Sequence, residues 1–398
     1  MNITKNFLKD YLEKFGETPF LVRLKDEEEF LIGEGSPQFK VIVNNDISKS
    51  ELLKSTSLAL GEAYINRDIE VEGDLFLTLN LLLKQIDKFN IDNSAVKHLL
   101  HSSNSMRHQK KEIHAHYDIG NDFYSLWLDK TLSYSCAYFR NDNDTLYDAQ
   151  VNKVHHILTK LNLEEGMSLL DIGCGWGFLL IEAAKKYKIH GVGITLSEEQ
   201  FKEFNTRIKE ENLQDYLEVR LMDYRELKKS DLMFDRVVSV GMLEHVGREN
   251  YELFIKNVNA VLKDGGLFLL HYISGLQESY GDPWIKKYIF PGGVIPSLRE
   301  MIHICSDYKY HTIDVESLRL HYVKTLLYWQ KNFSENLPKI KEMFDDKFIR
   351  MWDLYLCSCA AAFNTGIIDI HQILFTKGIK NDLPLTREYM YNLSLIHI

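Results

Sequence analysis

The sequence predicts a doubly wound α/β domain with a mostly parallel sheet, preceded by a smaller α+β unit. Three observations carry this expectation. From about residue 150, near-continuous apolar strands alternate with helix-period stretches, the order that gives parallel strands covered on both faces. A glycine-rich turn, Gly173-Cys174-Gly175-Trp176-Gly177, follows the first of those strands. Between His98 and Lys111 the periodic pattern stops, and Ser102-Ser103-Asn104-Ser105 reads as a boundary. At 398 residues the chain is too long for one compact core, and about two to three domains are expected. The boundaries fall at 1–96 for an accessory domain, 97–112 for a basic linker and 113–398 for a catalytic domain.

The elements follow in order. Phe7, Leu8, Tyr11, Leu12 and Phe15 recur at helical spacing, and short apolar runs at 20–24, 30–32 and 39–43 read as strands between turn residues. Helical stretches over about 50–66 and 74–89 complete the opening unit. In the second domain a helix near 148–161 leads into a strand at 168–172, the glycine turn and a helix over about 177–187. A strand at 190–195 precedes a helix opened by Ser197, whose hydroxyl suits an N-cap, with Glu198 and Glu199 where the helix dipole favours acids. Strands at 217–222, 234–240 and 267–273, with a helix near 248–262, close the series.

Composition narrows the function classes. The chain is 45% hydrophobic and 26% charged, with 57 acidic and 47 basic residues and a net charge of -10. An acidic chain repels a phosphate backbone, so no nucleic-acid partner is expected. The five cysteines are odd in number and sit mostly in apolar runs, which reads as thiols in a reducing cytosol. Cys357 and Cys359 have no matching pair elsewhere, so no metal site is expected. No run reaches the roughly 18 apolar residues of a spanning helix, and the N-terminus lacks the pattern of a secretory signal. Charge is uneven, however. Residues 1–95 carry 11 basic and 17 acidic groups, a balance of -6, whereas 97–111 carry four basic groups and no acid. Such a stretch suits weak, salt-sensitive docking of a cytoplasmic protein on an anionic bilayer.

The glycine turn discriminates among cofactors. A P-loop requires Lys followed by Ser or Thr where Gly177-Phe178 stands. A dinucleotide fingerprint has two residues between its last glycines and an acid about 20 residues on, whereas here the spacing is tighter and the next strand ends in Thr195. A tight turn preceded by Asp171 is instead the pattern of S-adenosylmethionine-dependent methyltransferases. The order of elements, with Phe234-Asp235-Arg236-Val237-Val238 and Lys263-Asp264-Gly265-Gly266, resembles the class I, Rossmann-like core of that group. Ligands in open sheets bind beyond the carboxyl ends of the strands, which brings Glu244, after the fourth strand, and His271, at the end of the fifth, over the donor's methyl group. A carboxylate and an imidazole near one point suit proton transfer, or the binding of a small polar species that performs it.

Seven motifs in order, HYDIGNDFY, YSCAYF, DIGCGWG, GITLSEEQ, GMLEHVG, HYIS and HYVKTL, resemble the cyclopropane fatty acid synthases and the mycolic acid cyclopropane synthases over about residues 110–380. The opening unit, with Leu60-Gly61-Glu62-Ala63-Tyr64 and Ile69-Glu70-Val71-Glu72-Gly73-Asp74-Leu75, is similar to the N-terminal domain of the bacterial phospholipid enzymes, which the mycolic acid enzymes lack. The resemblance implies a transferase that cyclopropanates cis double bonds in the acyl chains of membrane phospholipids. It implies S-adenosylmethionine as methyl donor, bicarbonate at the reaction centre, a homodimer, and transient association with the inner membrane surface. Donor contacts are implied for Tyr134, Ser135, Asp171, Gly173, Gly175, Gly177, Thr195, Leu196 and Gln200, with Asp223 and Tyr224 flanking the adenine where many relatives have Gly-Trp. The bicarbonate positions are Cys136, Glu244, His271, Ile273 and Tyr322, with Cys136 and Ile273 acting through backbone groups. Cys359 matches a cysteine sometimes designated catalytic, yet its Ala and Leu neighbours suit a thiol packed as a small hydrophobe.

The implied chemistry explains the need for a small base. An isolated cis alkene that attacks a sulfonium methyl becomes a carbocation, which must lose a proton from the new methyl before a ring closes. A charged protein base in an oily pocket carries a large desolvation cost, whereas a small anion held by several hydrogen bonds does not stand alone. Aromatic faces stabilise cations, and Tyr138, Phe139, Tyr272, Tyr280, Trp284, Tyr322 and Trp329 are the candidates. Two other readings compete: ordinary methyl transfer to a small molecule or lipid, and a non-catalytic lipid-binding protein on a relic fold.

Overall fold

The computed structural model describes residues 5–86 and 120–391; the basic stretch 97–112, most of the motif beginning at His114 and the end of the tail lie outside the described residues. The chain divides into two compact units, one of residues 1–102, 280–291 and 326–367, the other of 103–279, 292–325 and 368–398.

The first unit is built on β1 (Phe20–Leu24), β2 (Glu29–Ile32), β3 (Lys40–Val43) and β4 (Ile69–Glu72), in the order β2-β1-β3-β4. β1 and β2 pair antiparallel around a turn in which Glu27 takes a left-handed φ of 65°. β3 lies parallel to β1 and antiparallel to β4, a strand that periodicity alone does not single out. Phe20 and Phe39 stack with ring centres 4.8 Å apart, and Val22, Ile32 and Leu52 close the core around them. The helices Thr56–Ile65 and Leu75–Leu83 start at Ser55 and Asp74, whose side chains accept from the amides of Leu58 and Leu77.

Two later segments belong to this unit, whereas sequence order assigns everything after residue 113 to one domain. Trp284, on the helix Pro283–Tyr288, packs so closely that a Cβ at Gly61 would stand 2.3 Å from its ring. Arg350, on the helix Asp346–Thr365, donates to the Tyr64 carbonyl at 2.8 Å and lies 4.0 Å over the Tyr64 ring. Asn364 donates to Asn80 Oδ1 at 2.7 Å. Contacts between residues so far apart in the chain leave no trace in local composition.

The second unit holds β5 (Ser168–Ile172), β6 (His190–Thr195), β7 (Leu217–Leu221), β8 (Phe234–Val240), β9 (Leu262–Gly275), β10 (Tyr310–Ser317) and β11 (Ile368–Lys377), in the order β10-β11-β9-β8-β5-β6-β7. β5 to β9 are parallel, as the alternation of strands and helices predicts. At the far edge β11 runs antiparallel to both β9 and β10. Both faces are covered. Leu267 and Leu269 of β9 face a core with Leu158, Leu180 and Phe204, while Phe268, Leu270 and Tyr272 face another with Tyr251, Phe254 and Met301. Burial on both sides is why these strands read as continuous apolar runs. Among the described residues, no helix is long and apolar enough to cross a membrane.

Candidate active site

The glycine turn stands after β5, where the strand order reverses toward β8, the point at which an open α/β sheet forms its ligand crevice. Gly173, Gly175 and Gly177 have φ of 82°, 54° and 83°, a region L side chains rarely adopt. At Gly175 a Cβ would meet nothing within 4 Å, so a ligand can approach the backbone there. Gly177 serves packing instead, since a Cβ would lie 2.0 Å from the Phe204 ring. The cleft over the turn is lined by the expected Tyr134, Ser135, Asp171, Gly173, Gly175, Thr195, Leu196, Gln200 and Tyr224. Lys153, Trp176, Met222, Met242 and His245 line it too, although sequence reasoning does not single them out. Gly177 and Asp223 are not part of the lining.

Most polar groups of this cleft hold one another. Thr195 Oγ1 donates to Gln200 Oε1 at 2.8 Å and accepts from the Ser197 amide at 3.1 Å. Asp223 accepts from the Arg225 amide at 2.9 Å and from its guanidinium at 3.3 Å. Its carboxylate therefore caps the turn that presents Tyr224. Trp176 Nε1 donates to Asn121 Oδ1 at 3.0 Å. On the β5 side, Lys153 Nζ donates to Ser135 Oγ at 3.0 Å, and burial pulls its pKa down to about 8. Asp171 is buried with Oδ1 unpartnered, and burial, opposed by Lys153, pushes its carboxyl up to about 7.

The residues beyond β8 and β9 are arranged differently. The Ile273 amide donates to Glu244 Oε1 at 2.6 Å, while Glu244 Oε2 is buried without a partner. Burial pushes the Glu244 carboxyl up to about 7. His271 is fully buried with neither ring nitrogen paired; burial, reinforced by Lys153 and Lys160, lowers it to about 3, so the imidazole is neutral. Directly opposite His271 in the β9–β11 register is Gln372, also fully buried, with both amide atoms unpartnered. Cys136 Sγ contacts the Leu318 carbonyl at 3.8 Å, and burial pushes its thiol up. Leu318 in turn donates to Ile370, the register partner of Ile273, at 2.9 Å and accepts from the Tyr322 amide at 3.0 Å.

The second unit thus contains Cys136, Glu244, His271, Ile273 and Tyr322, whereas Cys359 belongs to the first. Burial pushes the Cys359 thiol up to about 12, which leaves it protonated and unreactive at neutral pH. Of the aromatic candidates, Tyr138 stacks on His156 and His321 at 4.2 and 4.7 Å. Phe139 accepts Lys324 over its ring at 4.6 Å. Tyr272 is a correction: strand alternation turns it to the face opposite His271, into the core with Tyr251. Tyr280, Trp284 and Trp329 fall in the first unit.

A parallel sheet reversing at a glycine turn, with a cleft of this lining, defines a class I S-adenosylmethionine-dependent methyltransferase. The family model described as mycolic acid cyclopropane synthetase matches residues 104–373, and the chain belongs to that family. Residues 7–94 match a separate domain family of unknown function. The chain is 38% identical over 382 residues to a probable fatty acid methyltransferase of Pseudomonas putida, covering 94% of this chain and 96% of that protein. It is 36% identical over 364 residues to cyclopropane-fatty-acyl-phospholipid synthase of Escherichia coli K12, covering 89% and 92%. The crystal structure of mycolic acid cyclopropane synthase CmaA1 complexed with SAH and CTAB aligns with a TM-score of 0.63 and 34% identity, covering 67% of this chain and 98% of that one. The protein is therefore a methyltransferase that uses S-adenosylmethionine, and its cleft fits that donor: open backbone at Gly175, an unpartnered buried oxygen on Asp171, and Met222 and Tyr224 on the β7 side.

Proposed function

We propose that this enzyme converts cis double bonds in the acyl chains of membrane phospholipids into cyclopropanes. The observation that carries the reading is the buried, unpaired polar cluster beyond β8 and β9. An imidazole held near pKa 3 cannot keep a proton at neutral pH, and a carboxyl near 7 is only partly ionised. Neutral His271 and partly ionised Glu244 can both share hydrogen bonds with a small guest. Both suit a small bound anion, bicarbonate, that accepts the proton. When bound, S-adenosylmethionine supplies an electrophilic methyl group. Glu244, His271 and Tyr322 offer side-chain partners to the anion, and Cys136 offers its backbone. Ile273 acts by orienting Glu244 instead of meeting the anion directly, because its amide is already engaged. Tyr322 supplies aromatic surface for the cation, whereas the rings of Tyr138 and Phe139 are already engaged by His156, His321 and Lys324.

The phospholipid substrate is favoured by similarity that extends over the opening unit, which the match to the mycolic acid structure leaves uncovered. In this reading residues 1–96 are a lipid-binding accessory domain, the basic segment 97–112 docks transiently on anionic lipid, and the enzyme works as a homodimer. Methyl transfer to a fatty acid is the second reading, favoured by the similarity to the Pseudomonas protein. Incubation with S-adenosylmethionine and vesicles of a cis-unsaturated phospholipid distinguishes them by mass spectrometry. Acyl chains that gain one methylene and lose the double bond are expected; methyl-branched chains, or modification of free fatty acid alone, would sink the phospholipid reading.

A further inference from the structure

We propose that Lys153 recognises the carboxylate of the methionine portion of the methyl donor, with Asp171 facing the ammonium of the same zwitterion. Lys153 sits on the inward face of the helix Leu146–Lys160, 4% exposed, in the wall of the cleft beside the glycine turn. A lysine buried to this extent is costly unless paired. Its hydrogen-bond acceptor, the Ser135 hydroxyl at 3.0 Å, is neutral, and among the described residues Lys153 forms no ion pair within 4 Å. The anion that acts on it most strongly, Asp129, is itself engaged by the Thr131 amide at 3.0 Å and hydroxyl at 2.9 Å. The remaining neighbours are Cys136, a protonated thiol, and Asp171, whose Oδ1 is unpartnered.

The sheet order fixes which part of the donor meets these charges. β5, β6 and β7 are successive neighbours, so their ends are spread over roughly 10 Å at about 4.8 Å per strand. Thr195, Leu196, Gln200, Met222 and Tyr224, after β6 and β7, form the side that suits the adenosine. Ser135, Lys153 and Asp171 stand on the β5 side, where the amino-acid end must lie. A buried cation and a buried acid in one wall of the cleft complement the carboxylate and ammonium of the donor's amino-acid end. Both groups are also held off their ordinary ionisation by burial, which an incoming opposite charge relieves.

The test is calorimetric titration of the full chain with S-adenosylhomocysteine, its decarboxylated analogue and methylthioadenosine. Wild type is expected to bind S-adenosylhomocysteine at least tenfold tighter than the decarboxylated analogue, and equal affinity would overturn the proposal without any variant. Lys153→Met is expected to weaken S-adenosylhomocysteine about 10- to 100-fold, as for a lost charge-assisted hydrogen bond, while changing the decarboxylated analogue and methylthioadenosine less than about twofold. Lys153→Arg should keep most of the discrimination. Equal weakening of all three ligands by Lys153→Met would mean that the lysine merely supports the cleft.

Discussion

The donor cleft and the proposed reaction centre sit at the ends of neighbouring strands of one sheet, yet they satisfy their polar groups to different degrees. In the cleft, Thr195 and Gln200 bond to each other, and beside it Asp223 is consumed by its own turn. At the reaction centre, Glu244, His271 and Gln372 together expose no polar atom to solvent-side partners: one carboxyl oxygen, two ring nitrogens and both amide atoms are buried and unpaired. A buried polar group left unpaired costs about 1–3 kcal/mol. Five such atoms, on β9, β11 and the turn after β8, are a cost that folding alone does not explain. In the cleft the unpaired oxygen of Asp171 is the exception, whereas beyond β8 and β9 the Ile273–Glu244 bond is the exception.

The largest test of this contrast is Glu244→Gln. Activity should fall about 10²–10⁴-fold, the range for lost acid–base catalysis, because the proton-accepting anion loses a partner, with S-adenosylhomocysteine affinity unchanged by calorimetry. A parallel loss of affinity would merge the two regions into one. The same variant should gain thermal stability relative to wild type as pH rises. The folded-state pKa of Glu244, about 7, is raised above that of an unfolded Glu, so its contribution is fully present below about 4.3 and is lost as pH rises through 7, whereas Gln does not titrate. A melting difference independent of pH between 5 and 8 would contradict this. Next in size is Gln372→Leu, expected to lower activity about tenfold while melting temperature stays level or rises, because two unpaired buried atoms are removed. Full activity in that variant would make Gln372 a strand filler. Smallest is Thr195→Val, which deletes one satisfied bond worth about 1 kcal/mol: donor affinity should weaken about fivefold, with turnover at saturating donor unchanged.

The same contrast marks what sequence can and cannot tell. The glycine turn is legible because backbone exposure and left-handed φ leave few alternatives to glycine at Gly173 and Gly175. Lys153 is not, since a lysine in a helix ordinarily reads as solvated; the usable signal is that Gln150, Lys153 and Lys160 share the inward stripe with Ala149 and Ile157. Gln372 lies in an apolar run whose meaning depends on antiparallel register with a strand about a hundred residues earlier. Tyr272 was separable from His271 by period-two alternation alone, because adjacent residues of a strand face opposite ways. The assignment of 280–291 and 326–367 to the first unit rests on pairings such as Arg350 with Tyr64, which no local pattern announces.

That last feature bears on how the chain is made. The polypeptide passes between the two units five times, so the first unit is not complete when residue 102 leaves the ribosome. Its helix Thr56–Ile65 must wait for Trp284 and then Arg350. At roughly 5–20 residues per second of synthesis, the nascent sheet of β1 to β4 stands without those partners for tens of seconds. Deleting the opening residues to imitate the shorter relatives would strand the helix Asp346–Thr365 in the same way, permanently. The opening residues and the helix Asp346–Thr365 belong to one unit and complete each other's packing.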